Sequence, residues 1–146
     1  MKDIERTEFL NKLKTYKDKQ VIKVITGIRR CGKSTLMKMF MNYLLENGVD
    51  KNQIIFLNFE DFDNYELLNP QNLHSYIKKR LVSEKMTYVF LDEIQNVQDF
   101  QRVVDSLFLN PKIDIYMTGS NAYLLSGELA TLLSGRYVTI EMLPLS

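Results

Sequence analysis

Gly27-Ile28-Arg29-Arg30-Cys31-Gly32-Lys33-Ser34 satisfies the pattern G-x-x-x-x-G-K-[ST] at every fixed position, the signature of a loop that wraps phosphate. Upstream, Gln20-Val21-Ile22-Lys23-Val24-Ile25 reads as a short β-branched strand running into the loop. Downstream, Leu36, Phe40, Tyr43 and Leu44 recur at helical spacing, and Asn47-Gly48 supplies a stop. Strand, loop and helix in that order aim backbone N–H groups and the positive helix end at a phosphate chain. The expected phosphate-binding set is Gly27, Arg30, Cys31, Gly32, Lys33, Ser34 and Thr35. Lys33 would neutralise phosphate charge, and the Ser34 hydroxyl would ligate the Mg²⁺ that accompanies a nucleoside triphosphate. The side chains of Arg29 and Arg30 are expected in solvent or facing a partner.

The 146 residues, 45% hydrophobic, suffice for one α/β core and are too few for two comfortable domains. A net charge of +1 shows no basic excess of the kind that marks a nucleic-acid footprint, so composition neither demands nor excludes such a partner. A single cysteine cannot form an internal disulfide and suits a reducing compartment. No run approaches the roughly 20 apolar residues of a membrane span. Met1-Lys2-Asp3-Ile4-Glu5-Arg6 is acidic where a secretory signal is apolar, so the expectation is cytoplasmic and without a membrane partner.

Along the chain, Phe9, Leu10, Leu13 and Tyr16 suggest an amphipathic first helix. Residues 53–59 form a second strand candidate, followed by the acidic turn Glu60-Asp61-Phe62-Asp63-Asn64. Asn69-Pro70 reads as a cap plus first-turn proline opening a helix through Leu73, Ile77 and Leu81. After the strand Tyr88-Val89-Phe90-Leu91, a helix shows Phe100, Val103, Val104, Leu107 and Phe108 on one face. Residues 113–117 supply a fourth strand, Leu129, Leu132 and Leu133 a short helix closed by Gly135, and residues 137–140 a fifth strand. Alternating strands and helices argue for a parallel sheet covered on both faces, whose ligands gather at the carboxyl ends of the strands.

Chemistry concentrates at those ends. Four apolar residues lead into Asp92-Glu93. Asp92 is the expected Mg²⁺ ligand, and Glu93 the base that orients and deprotonates a water attacking the γ-phosphorus. Thr118-Gly119-Ser120-Asn121 closes the fourth strand. The Asn121 amide can hold a water between phosphate and Glu93, with Ser120 as the alternative. Arg136, between Gly135 and the fifth strand, is a candidate finger toward a neighbouring subunit's γ-phosphate. Its bland alternative is a cation on helix carbonyls or a surface carboxylate.

Together, Gly27 to Ser34, Leu91-Asp92-Glu93, Thr118-Gly119-Ser120-Asn121 and Leu133-Ser134-Gly135-Arg136 through Leu143-Pro144-Leu145-Ser146 resemble the prokaryotic AAA-type ATPases related to the archaeal-ATPase group. The resemblance implies a three-layer α/β fold of the P-loop NTPase class with a five-stranded parallel sheet in the order 5-1-4-3-2. It also implies Asp92 and Glu93 as Walker B acids, Asn121 as sensor, and Arg136 as a finger within a homo-oligomer. On this reading residues 1–146 are one ATPase core, and the family's C-terminal domain is absent from this chain.

Mg²⁺-dependent ATP hydrolysis driving conformational change in a larger protein or oligomer is thus the expected function. An ATP-binding switch that barely hydrolyses is the alternative. Glu93 and the lack of an arginine-rich lid argue against a small-molecule kinase. Asn11-Lys12-Leu13-Lys14 lacks the aspartate of a guanine-reading motif and precedes the loop. DNA transactions by a longer protein rest on analogy alone.

Overall fold

The structure, a computed structural model, describes residues 3–28, 32–120, 133 and 135–142. Arg30, Cys31, Asn121 and the expected helix around Leu129 and Leu132 lie outside these residues.

The described chain runs α1 (Asp3–Tyr16), β1 (Ile22–Thr26), α2 (Lys33–Glu46), β2 (Ile54–Asn58), α3 (Pro70–Lys79), β3 (Thr87–Asp92), α4 (Phe100–Phe108), β4 (Ile113–Gly119) and β5 (Tyr137–Glu141). The strands form one parallel sheet in the order β2-β3-β4-β1-β5, the order expected from the resemblance. Every residue of β1, β3 and β4 is buried, whereas β2 alternates and β5 is largely open. Parallel strands covered on both faces read as continuous apolar runs, and the two edge strands escape that requirement.

Side-chain alternation sorts the core into two layers. Val89 and Leu91 join Leu73, Ile77, Val103, Val104 and Leu107 under α3 and α4. Tyr88 and Phe90 point the other way, to Leu13 of α1 and Leu36, Phe40 and Leu44 of α2. There the Phe90 and Tyr116 rings stack at 4.7 Å, and Phe40 meets Tyr116 at 5.1 Å. Loss of a ring such as Phe40 from this layer would cost about 3–5 kcal/mol.

Helix boundaries follow local chemistry. The Asn69 side chain accepts the Asn72 N–H at 3.0 Å ahead of Pro70, as the cap-plus-proline pattern predicts. Asn47 ends α2, and Gly48 takes the left-handed φ of 92° that the stop requires. The first strand begins two residues later than Gln20. The Gln20 amide is drawn to the Phe108 carbonyl at 3.2 Å, and Val21 N–H closes a turn onto Lys19 O. The acidic turn after β2 extends into a 3₁₀ segment, Phe62–Leu68.

The amino end of the sheet carries a polar cluster that the strand patterns did not reveal. Lys23 in β1 is fully buried and forms an ion pair with Asp114 of β4. Asp114 also accepts the Tyr116 hydroxyl at 2.7 Å and the Asp18 N–H at 2.9 Å, while Tyr88 donates to Asp18 at 2.6 Å. Burial pushes the Lys23 amine down and the Asp114 carboxyl up, each opposed by the other's charge. Burial also acts to raise Asp18, but hydrogen bonds from Lys17 and Tyr88 and the lysine charges hold it below the usual carboxylate range.

Candidate functional site

Four expected residues meet where β1, β3 and β4 end. Gly32 precedes α2 with φ 99° and ψ 18°, a left-handed turn that glycine adopts without a Cβ penalty. Its carbonyl accepts the Leu36 N–H at 2.9 Å and starts the helix. That turn sets Lys33 and Ser34 in the first helical turn, facing the sheet.

The Lys33 ammonium is 6% exposed and donates to Gly27 O at 2.7 Å and Gly119 O at 3.1 Å. It also lies 3.4 Å from Glu93 Oε1. Of the three protons of the ammonium, two are placed on these carbonyls, and the carboxylate lies within ion-pair reach. Ser34 Oγ donates to Asp92 Oδ2, so the hydroxyl of α2 and the acid ending β3 share one spot. Gly27 stands at the loop's entry, and Thr35 is exposed on the first turn of α2.

Glu93 sits past the end of β3 with φ 58° and ψ 52°. A non-glycine residue in that region costs about 1–2 kcal/mol. The conformation breaks the strand and leaves the Glu93 carboxylate buried beside Lys33. Its Oε1 has no hydrogen-bond partner among the described residues, because the lysine approaches without hydrogen-bond geometry.

Thr118 organises both acids, a role the sequence reading did not assign. Its hydroxyl donates to Asp92 Oδ1 at 2.6 Å and accepts the Glu93 N–H at 2.9 Å. One side chain of β4 thus fixes the metal-ligand candidate and compensates the turn at the base candidate. The available signal was position: Thr118 precedes Gly119 at the carboxyl end of the strand adjoining β3.

Arg136 does not join this group within its own chain. It precedes β5, at the amino end of the parallel sheet, and pairs with Asp105 at 3.4 Å while lying over the Phe108 ring. That contact is the surface-carboxylate arrangement weighed beside the finger role. Ser120 is half-buried just beyond β4. His74 shares a hydrogen bond of 3.1 Å with Ser106 between α3 and α4.

Residues 19–146 match the family model described as an AAA domain. The chain belongs to the AAA domain family. This AAA domain is 44% identical over 144 residues to an uncharacterized protein of Haemophilus influenzae, covering 98% of the chain and 36% of that protein. It is 36% identical over 127 residues to an uncharacterized protein of Methanocaldococcus jannaschii, covering 86% of the chain and 27% of that protein. The chain therefore spans about a third of the length of the curated relatives it matches.

Solved structures share the AAA domain's fold at low identity. Caenorhabditis elegans PCH-2 aligns with a TM-score of 0.62 at 20% identity, covering 97% of this chain and 42% of that one. AMPPCP-bound DnaA of Aquifex aeolicus aligns with a TM-score of 0.55 at 17% identity, covering 92% and 44%. A DNA polymerase III gamma subunit-related protein of Thermotoga maritima gives 0.65 at 13% identity, covering 90% and 45%. The AAA-type P-loop fold is common to them all. Among the described residues no helix is long and apolar enough to cross a membrane.

Proposed function

We propose that this AAA domain binds ATP with Mg²⁺ and hydrolyses it at the carboxyl ends of β1, β3 and β4, coupled to conformational change in a larger protein or oligomer. The observation that carries the reading is the convergence of Lys33 and Ser34, at the start of α2, with Asp92 and Glu93, at the end of β3, onto one spot.

The donor set fits the metal. Ser34 and Asp92 offer hard oxygens, the ligands Mg²⁺ prefers, and too few to hold it without phosphates and water. Ser34 and Asp92 would hold the ion, which would supply neutralisation of phosphate charge.

The protein's own residues supply the rest. Lys33 exchanges its carbonyl contacts for phosphate oxygens. Glu93, with a buried carboxylate oxygen that accepts no hydrogen bond among the described residues, takes the proton of a water whose oxygen attacks the γ-phosphorus as the bond to the bridging oxygen breaks. Thr118 positions both acids. The loop residues Arg30 and Cys31 contribute backbone N–H groups. Asn121 senses the attacked phosphate, and Arg136 acts on a neighbouring protomer's nucleotide. Turnover by Arg136→Ala that matches wild type at every protein concentration would remove that last role.

Calorimetry of ATP and GTP binding with Mg²⁺ tests the proposal, comparing wild type with Lys33→Ala and following phosphate release on the same samples. Lysine-dependent ATP binding with release supports it. Binding without release transfers the assignment to a nucleotide-binding switch. Absence of binding by the folded protein would overturn both.

A further inference from the structure

We propose that the segment 59–68, together with Tyr76, is a docking surface for a basic polypeptide segment whose arginine or lysine side chains alternate with apolar ones. Phe62 is 81% exposed and Tyr65 is 60% exposed, the two rings lying 5.3 Å apart in a tilted pair. They line a shallow cleft of about 560 Å³ with Leu67 and Tyr76. Two adjacent aromatic rings left in water are unusual for a surface with nothing to bind.

Flexibility does not account for them. Asn58 Oδ1 accepts the Glu60 N–H at 3.0 Å, and Asp61 Oδ1 accepts the Asp63 N–H at 2.9 Å. The Asn64 amide donates to Asn58 O at 2.9 Å. Both ends are tied down, Phe59 N–H to Asp92 O of β3 at 3.0 Å and Leu68 O to Gln98 N–H ahead of α4 at 3.2 Å. The backbone is therefore held in one shape with its rings outward.

Charge selects the occupant. Glu60, Asp61, Asp63 and Glu66 are all exposed around the rings. Residues 52–77 contain those four carboxylates and neither lysine nor arginine. A phosphate backbone would be repelled, whereas a cationic peptide gains long-range attraction and places its apolar side chains on the rings. The cleft's rim already displays the contact: the Arg80 guanidinium lies 3.4 Å from the Tyr76 ring centroid. The segment that carries the rings starts at Phe59, whose N–H donates to Asp92 O, so on the ATPase reading it leads directly from the nucleotide site. The docking itself does not depend on that reading.

The test is fluorescence anisotropy without nucleotide, using a labelled twelve-residue peptide of alternating arginine and leucine and a glutamate–leucine control. Wild type should bind the basic peptide and not the control. Phe62→Ser with Tyr65→Ser should weaken binding at least tenfold. Asp63→Asn with Glu66→Gln should weaken it severalfold and flatten its salt dependence. All four changes are at exposed positions, and unchanged thermal melts confirm folding. Equal binding by wild type and both variants would overturn the proposal, as would no binding by wild type. So would failure to bind the peptide combined with wild-type self-association that the aromatic variant abolishes, because the patch would then be an interface between copies. ATP turnover is read separately and does not enter this outcome.

Discussion

Thr118 Oγ1 accepts the N–H of Glu93 at 2.9 Å, from a residue held in a left-handed conformation. The same hydroxyl donates to Asp92. Thr118→Val keeps the shape and removes both bonds, leaving a buried N–H without its partner at a cost of about 1–3 kcal/mol. ATP turnover should fall roughly tenfold or more while nucleotide affinity changes little, since a small misplacement of catalytic groups costs rate before binding. Thr118→Ser should recover most of the rate. Equal turnover by the valine variant and wild type would show that the acids hold their places unaided.

Glu93→Gln should retain ATP binding and lose turnover by about 10²-fold or more, the typical contribution of a general base. Lys33→Ala should lose binding, and it also strips a buried carboxylate of a cation 3.4 Å away. Removing one partner of a buried pair costs about 3–5 kcal/mol. The double variant Lys33→Ala, Glu93→Gln should therefore melt higher than Lys33→Ala alone. Identical melting temperatures would mean the 3.4 Å approach contributes nothing to stability.

Lys23 and Asp114 make the same argument at the other end of the sheet, with side chains 0% and 1% exposed. Asp114→Ala leaves a buried ammonium and should destabilise by about 3–5 kcal/mol in urea unfolding. Lys23→Met combined with Asp114→Asn, which keeps an acceptor for Tyr116 and Asp18, should regain part of that. A single variant within about 0.5 kcal/mol of wild type would contradict the buried-pair reading.

The pH dependence should show an alkaline limb. Burial, then the hydrogen bond to Asp18, raises the Tyr88 phenol well above its ordinary value of 10.0. Burial and the Asp114 charge raise Tyr116 likewise. Above pH 10 the unfolded chain releases these protons while the folded chain keeps them. The phenols' contribution to stability is thus complete below that pH and declines as pH rises beyond it, by up to about 1.4 kcal/mol per pH unit for each phenol, and the lowered Lys23 amine acts in the opposite sense. Denaturant midpoints from pH 8 to 11 should fall for wild type and fall less steeply for Tyr88→Phe. Parallel curves would rule out Tyr88 as a source.

Much of this was readable in the chain because the deciding signals are local. Gly27 to Ser34, the Asn69-Pro70 cap and Asp92-Glu93 each carry their meaning within a few residues. The alternating strand–helix pattern and the resemblance then supplied the sheet order. What escaped depends on partners distant in sequence. Lys23 in the strand pattern gives no hint that it is buried, because its counter-charge comes 91 residues later. Thr118 looked like one more small polar residue, since its worth lies in bonds to a different strand. The 3₁₀ path of Phe62–Leu68 was hidden because Asn and Asp side chains, rather than a hydrophobic period, set its backbone.

The buried Lys23–Asp114 pair also works as a ruler for alignment. In the observed pairing Lys23 lies opposite Tyr116 and Thr26 opposite Gly119. Sliding β1 by one residue would turn Lys23 into the apolar layer that holds Ile22 and Val24, with no carboxylate to meet it. The same slip would separate the carbonyls of Gly27 and Gly119, which jointly grip Lys33. A lysine at the foot of the sheet thereby dictates where another lysine stands at its head.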